Sequence, residues 1–245
     1  YPFTTAEQRE SYGGTVDAIN FVQRDGGGDT TFEGPVTVTE DATANLHATP
    51  GDPTTAFVAA FEINTVGSLR LESTLTANET SADTGGGNIV MNVGDVEFVG
   101  GANSVSAMLG GAGDTDNVSE LVIQPYDPGG DMSVGVESGG VNFGNTDILA
   151  LAEGFENIFV GAYNGTGTIS INATAAFKDP TFFRAPFAGG EISVSGNGIT
   201  GSDEDTADGS LLVFDSRNIL VGTTTFMTDS QDILLISGAS FQRLQ

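Results

Sequence analysis

The sequence predicts an all-β protein, a parallel β-helix or β-solenoid with one short helix near residues 146–154. Three observations predict it: a phrase that recurs along the chain, strand-like runs bounded by turn residues, and 35 glycines. The phrase is a glycine, one or two small or polar residues, and two apolar residues separated by one other. Most intervals between copies are near one or two multiples of about 20 residues, a period typical of solenoids. The copies lie at residues 67–71, 87–91, 130–134, 167–171, 190–194 and 209–213, and residues 232–235 begin a seventh without the glycine.

The two apolar residues of each phrase are expected to point into the interior. Alternate side chains of a strand lie on opposite faces, so a spacing of two puts both on the same side. Stacked coils would then join these pairs into an apolar ladder. The predicted inward pairs are Leu69/Leu71, Ile89/Met91, Met132/Val134, Ile169/Ile171, Ile192/Val194 and Leu211/Val213.

Short runs rich in Val, Ile, Thr and Phe fill most of the chain and are bounded by Gly, Asn, Asp or Pro. Glycine suits the tight turns between them because it adopts positive φ without steric cost. Strand starts every 9 to 13 residues fit a β-sandwich as well as a β-helix. The β-sandwich therefore stays open as the alternative fold.

One segment departs from the strand pattern. Residues 146–154 contain good helix formers, with Thr146 or Asp147 available as the N-cap and Gly154 placed as a C-terminal stop. We expect a two-turn helix that bridges two strands or covers a sheet edge.

The chain is expected to form a single β-repeat domain over residues 1–245. The repeat pattern is least clear over residues 1–23. Strand-like sequence continues up to residues 240–245 with no polar capping unit. The two ends of a solenoid carry unpaired backbone groups. We expect them to be met by other copies or by the rest of a longer polypeptide.

The net charge of −26 arises from a shortage of basic residues, because the chain has one lysine and six arginines but 33 acidic residues. Such a surface repels phosphate backbones, so nucleic acid is not an expected partner. It favours solubility in salty surroundings, which fits an extracellular or cell-surface location. No apolar run is long enough for a membrane helix, so no membrane insertion is expected.

Residues 119–243 resemble the repeat units of giant filamentous-haemagglutinin-like surface proteins. These long β-strand-repeat polypeptides occur in cyanobacteria and other environmental bacteria. The resemblance implies a secreted, adhesin-like stalk or matrix protein, most often a parallel β-helix, with no catalytic residues. Residues 29–118 look like a looser copy. The resemblance rests on the order of the segments 121–125, 132–135, 149–161, 165–171, 177–180 and 189–194.

Two glycine-bounded acidic loops are candidate Ca²⁺ sites. One offers Asp203, Asp205 and Asp208, and the other offers Asp114 and Asp116. Carboxylates on flexible loops suit Ca²⁺, although neither loop matches the EF-hand or the Gly-Gly-x-Gly-x-Asp pattern. A plain acidic turn is the alternative for both, and no cofactor is required.

Enzymatic activity is not expected. His47 is the only histidine and there is no cysteine, so His/Cys zinc sites, Cys nucleophiles and a Ser-His-Asp triad are disfavoured. The acids of residues 203–208 share one loop, whereas glycosidases hold two carboxylates across a sugar.

Two further groups of residues have a structural and a functional interpretation. Arg184 lies in a segment with four aromatic residues, Phe177, Phe182, Phe183 and Phe187. Packing of these rings is favoured over a sugar-stacking platform, because Phe182 and Phe183 must face opposite sides of a strand. Glycosylation is left undecided at the four sequons, which are Asn78, Asn117, Asn164 and Asn172.

The leading hypothesis is a non-enzymatic extracellular structural or adhesive protein, a self-associating segment of a surface fibre or matrix. Self-association, or pairing with the rest of a longer chain, is the expected partnership, and a surface polysaccharide is a further expected partner. The alternative is a carbohydrate-binding or Ca²⁺-dependent adhesive module with a β-sandwich fold.

Overall fold

The computed structural model describes residues 10–18, 21–40, 47–48, 56–57, 61–79, 88–108, 119–202, 210–228 and 231–243. These residues form 25 strands and one short helix, which confirms the predicted class. The elements are β1 (Glu10–Tyr12), β2 (Val16–Ala18), β3 (Phe21–Gly26), β4 (Thr30–Phe32), β5 (Val36–Glu40), β6 (His47–Ala48), β7 (Ala56–Phe57), β8 (Phe61–Thr65), β9 (Ser68–Leu71), β10 (Leu75–Glu79), β11 (Ile89–Val93), β12 (Asp95–Phe98), β13 (Val105–Met108), β14 (Glu120–Pro125), β15 (Met132–Gly135), β16 (Val141–Gly144), α1 (Asn145–Ala150), β17 (Asn157–Val160), β18 (Thr168–Ile171), β19 (Ala176–Phe177), β20 (Thr181–Ala185), β21 (Glu191–Val194), β22 (Ile199–Gly201), β23 (Leu212–Val221), β24 (Phe226–Met227) and β25 (Ile233–Arg243).

The strands form the coils of a parallel solenoid with three faces. Face 1 consists of β1, β4, β9, β12, β16, β15, β18, β21 and the second halves of β23 and β25. Face 2 consists of β2, β5, β10, β13, β19, β22 and β24. Face 3 consists of β3, β8, β11, β14, β17, β20 and the first halves of β23 and β25. Each coil crosses the three faces in turn.

Within each sheet of a face, strands of successive coils pair in parallel register. On face 3, for example, Met91 of β11 lies beside Ile63 of β8 and Ile123 of β14. The hairpin β6–β7 is the one antiparallel pair among the described strands. The β-sandwich alternative, which requires face-packed antiparallel sheets, is therefore wrong.

The interior is built largely from the predicted apolar pairs. Met132, Ile169, Ile192 and Ile219 form one in-register ladder on face 1, and all four are buried. The pair Leu69/Leu71 also points inward on face 1, whereas Ile89/Met91 points inward on face 3. The recurring phrase thus marks two different faces.

The prediction for Leu211/Val213 is wrong by one residue. Leu212 and Phe214 are the fully buried inward residues of β23, and Val213 stacks on the outward-facing Phe182. A shift of one residue exchanges the two faces of a strand. The phrase is ambiguous here because residues 211–214 are all apolar, and the large Phe214 occupies the interior.

Phenylalanine rings run along the interior and join successive coils. Phe183 stacks on Phe214 with ring centroids 5.2 Å apart, and Phe214 meets Phe226 edge-on at 5.5 Å. This row of rings continues from Phe183 through Phe177 to Phe143. The predicted packing role of Phe177 and Phe183 is confirmed.

The helix α1 begins one residue earlier than predicted and ends at Ala150. Gly144 is the N-cap, and neither Thr146 nor Asp147 caps the helix as predicted; Asp147 instead accepts a hydrogen bond from the Gly144 N–H at 2.8 Å. Leu151 is already extended and pairs with Val105, so the predicted stop at Gly154 is wrong. Within the described ranges, no helix is long and apolar enough to cross a membrane.

An extra strand interrupts face 1. The chain passes through β15, returns over residues 136–140 and runs through β16 beside it, in parallel. In the described part of the chain, β16 pairs with β15 alone and β12 pairs with β9 alone. The two halves of face 1 thus meet at a seam between β12 and β16, against which α1 packs.

Candidate functional site

The outer edge of β25 is the first candidate site. Nine of the eleven residues of β25 pair with β23, and no described strand pairs with its other edge. The carbonyl of Asp232 accepts a hydrogen bond from the Leu212 N–H. Because backbone groups of successive residues point to alternate sides of a strand, Ile233 and Leu235 direct theirs to the open edge.

Four consecutive aliphatic residues are exposed on this strand. Ile233, Leu234, Leu235 and Ile236 are each between 38% and 49% accessible, whereas the equivalent residues of β23 are buried wherever they are apolar. Ile233 and Leu235 stack on the interior residues of the preceding coil, and Leu234 continues the outer row of face 3 through Val213. An apolar strand with an open edge is a template for pairing with another strand.

The seam between β12 and β16 is the second candidate site. Two aspartates replace the missing strand pairing. Oδ1 of Asp95 accepts a hydrogen bond from the backbone N–H of Asn142 at 2.8 Å. Asp147 accepts one from the N–H of Phe98 through Oδ1 at 2.7 Å and one from Gly144 through Oδ2 at 2.8 Å. The carboxylates satisfy edge donors that would otherwise lack an acceptor.

A cleft of about 450 Å³ opens at the seam, within the size range of small-molecule sites. Asp95, Glu97, Glu137 and Asp147 line it together with apolar residues of β12 and α1. Arg70 forms ion pairs with Glu97 and with Glu72 on the outer surface of face 1.

Asp147 is an acid of the cleft with a raised pKa. Burial raises its pKa to about 6, against the lowering effect of the hydrogen bonds from Phe98 and Gly144. The negative charges of Asp95 and Glu137 raise the pKa further. The proton is held more tightly in the folded chain than in the unfolded one.

Arg184 forms a third cluster on the outside of face 3. Its guanidinium carbon lies 3.7 Å from the centre of the Phe159 ring and 5.5 Å from that of Phe182. Burial lowers the pKa of Arg184, while the charges of Glu120 and Asp215 act in the opposite direction. Burial also raises the pKa of Glu120 to about 7, which Arg184 partly offsets. The cluster stabilises the outer surface, because Arg184 lies over the chain's own rings and is attracted by the charges of its own acids.

The predicted Ca²⁺ ligands Asp203, Asp205, Asp208, Asp114 and Asp116 lie outside the described residues. Among the residues that are described, no group of three or more His, Asp or Glu side chains is arranged to hold a metal ion.

The other residues named from the sequence are placed as follows. His47 lies in β6 opposite Phe57. Asn164 follows β17 in a turn, and Oδ1 of Asn172 accepts a hydrogen bond from the Asn197 N–H. Phe182 and Phe183 lie on opposite faces of β20, as predicted, with Phe182 facing outward and Phe183 inward. Phe187 is exposed.

Sequence reasoning missed the seam and anticipated the open edge only in general terms. The signal for the edge was present in residues 233–236, four aliphatic residues without alternation, which indicates a strand covered on both faces. No signal predicted the seam, because Asp147 and Phe98 are far apart in the sequence.

Comparisons with known proteins add no assignment to this geometry. A scan against protein-family models, a search of curated proteins and a search of solved structures each found no match.

Proposed function

We propose that the chain is a non-enzymatic structural segment of an extracellular fibre or matrix, and that it associates through the open strand edge of its solenoid. The observation that carries the proposal is β25, an eleven-residue strand with one open edge and four exposed aliphatic residues. Each coil before it is covered by the next on face 3. The last described coil therefore resembles an interior layer without its neighbour.

Burial of these side chains supplies the driving force. Covering the accessible part of each aliphatic residue contributes about 1 kcal/mol, and pairing satisfies the open backbone groups. The net charge of −26 opposes the approach of two copies. Salt shortens the range of this repulsion to about 8 Å at physiological ionic strength, so salty surroundings favour association.

The location outside the cell is supported by two features of the sequence. The surface is acidic and poor in lysine, which favours solubility in salt. Residues 119–243 resemble the repeats of filamentous-haemagglutinin-like surface proteins, a resemblance that stays a prediction. Protease treatment of intact source cells tests the location, since a surface protein is degraded and an internal one survives.

Sedimentation across a range of concentrations tests the association. The weight-average mass should rise above 25.1 kDa with concentration, and it should rise further at 0.5 M than at 0.05 M NaCl. A mass that stays at 25.1 kDa up to several hundred micromolar at both salt concentrations would contradict the proposal.

Carbohydrate binding is a second candidate function, and the cleft at the seam favours it. Carboxylates accept hydrogen bonds from sugar hydroxyls, and the exposed Val99 and Leu149 offer apolar contact to a sugar ring. A glycan array tests this function. Binding of one glycan class by the parent chain, with loss of that binding in the Asp95→Ala variant, supports carbohydrate binding. Absence of binding to any glycan on the array contradicts it.

A further inference from the structure

We infer that the partner of the β25 edge is a second copy of this chain related by a two-fold axis, with the two β25 strands antiparallel and centred on Leu235. This inference rests on the proposed self-association and specifies its geometry. It joins two solenoids end to end through their β25 edges. Three parts of the structure support this geometry: the steps of the last coil, the sequence of its edge and the charges beside it.

The first part is the shape of the solenoid's last coil. Each coil rises by one strand spacing, so its three strands lie at successive heights along the solenoid axis, which we call steps. The last three steps are β24 on face 2, residues 233–237 on face 3 and residues 240–243 on face 1. A two-fold axis through the middle step, on face 3, places face 3 of one copy against face 3 of the other and exchanges faces 1 and 2. On all three faces, the last strand of one copy then lies one strand spacing from a strand of the other.

The second part is the sequence of the edge. With Leu235 opposite Leu235 of the second copy, Leu235 directs its backbone groups toward its own counterpart. Ile233 then lies opposite Ser237. Leu234 and Ile236 form the pairs that are not hydrogen-bonded, in which side chains approach most closely. Both are exposed in the single chain, at 49% and 45%. Aliphatic residues thereby cover aliphatic residues across the axis.

The third part is charge complementarity. The same register sets Asp232 opposite Gly238 of the second copy. The guanidinium of Arg217 already lies beside Gly238, where it donates a 3.1 Å hydrogen bond to the Gly238 carbonyl. Each copy therefore brings its Asp232 next to the Arg217 of the other, which makes two ion pairs per dimer. Arg217 is one of only seven basic residues in the chain.

Disulfide trapping tests the register directly, because the chain has no cysteine. Chains carrying Leu234→Cys and chains carrying Ile236→Cys are mixed under mild oxidation. Residues in a pair that is not hydrogen-bonded lie about 4.5 Å apart at Cα, within disulfide range. We expect the mixed disulfide to exceed either homodimer severalfold. A Phe187→Cys chain, with its thiol at an exposed position away from β25, is the matched control and should give no preferred product.

Charge reversal provides a second readout that does not depend on cysteine. Asp232→Arg alone and Arg217→Asp alone each set like charges opposite each other at both pairs, and each should weaken association about tenfold at low salt. A mixture of the two variants restores two opposite-charge pairs and should associate within about twofold of the parent. Recovery in the mixture also shows that both variants are folded.

The outcomes separate this inference from the proposed function. Association that persists without the mixed disulfide, and without recovery in the charge-reversed mixture, would overturn the two-fold geometry and leave self-association standing. A chain that sediments as a monomer under all conditions would overturn both.

Discussion

The backbone N–H of Phe98 donates a 2.7 Å hydrogen bond to Oδ1 of Asp147, a residue 49 positions further along the chain. Phe98 belongs to β12 and Asp147 to α1, so this bond crosses the seam between the two halves of face 1. A side-chain oxygen stands where the carbonyl of a neighbouring strand would stand in an uninterrupted sheet. The solenoid thus accommodates an extra strand without leaving this buried donor unsatisfied.

Removing the Asp147 carboxylate should open the seam. Asp147→Ala leaves the N–H groups of Phe98 and Gly144 without their acceptor, and we expect a loss of about 2–4 kcal/mol in the free energy of unfolding. Urea titration measures this loss. Glu97→Ala is the matched control in the same cleft, because its exposed ion pair with Arg70 contributes less than about 1 kcal/mol. Equal effects of the two substitutions would contradict the bridging role of Asp147.

Stability should fall as the pH rises from about 4 to 7. The folded chain holds protons on Asp147 and Glu120 more tightly than the unfolded chain, because burial raises their pKa values to about 6 and about 7. Where the folded state binds more protons, raising the pH favours unfolding. Urea midpoints measured between pH 4.5 and pH 8 should decrease, and the slope should flatten in a chain carrying Asp147→Asn and Glu120→Gln. A midpoint that increases over this range, with the same slope in the variant, would exclude these two groups.

Loss of Arg184 should raise the pKa of Glu120 further. The positive charge of Arg184 lowers that pKa, and the guanidinium also covers Phe159 at 3.7 Å. Arg184→Met removes the charge, so we expect a higher Glu120 pKa in a carboxyl NMR titration and lower stability at pH 8. Arg184→Lys should restore the pKa but not the stability, because an ammonium group does not stack as a planar guanidinium does. An unchanged Glu120 pKa in the methionine variant would show that the two groups do not interact.

The register of β23 leads to a further prediction. Phe214 is fully buried between Phe183 and Phe226, so Phe214→Ala should cost about 3–5 kcal/mol. Leu211→Ala, at a half-buried position, should cost about 1 kcal/mol or less. Urea titration of the two variants compares them. A larger loss for Leu211→Ala would support the register that the repeated phrase predicts instead.

The sequence was sufficient to predict the parallel solenoid because its apolar pairs obey a period of two that burial enforces. Met132/Val134, Ile169/Ile171 and Ile192/Val194 face inward and stack as predicted. At residues 211–214 the period does not show which residues face the interior, because apolar residues occupy both faces of the strand. The volume of Phe214 determines the register.

The seam lay beyond sequence reasoning for a different reason. The five residues 136–140 return the chain to the same face, whereas coils elsewhere advance to the next face, and no periodicity marks that choice. Asp147 was identified as a possible helix cap, a local role, but its partner Phe98 is determined by the packing of distant coils. Long-range contacts of this kind depend on the assembled fold.

Association through the open edge of β25 is the central claim, and the dissociation constant of Leu235→Pro measured by sedimentation tests it most directly. Proline at this position removes an N–H that points to the open edge, whereas Leu234→Pro, the matched control, removes one that points to β23. We predict that Leu235→Pro keeps the urea midpoint of the parent and loses association at least tenfold, while Leu234→Pro lowers the midpoint. Undiminished association of a folded Leu235→Pro chain would contradict the account.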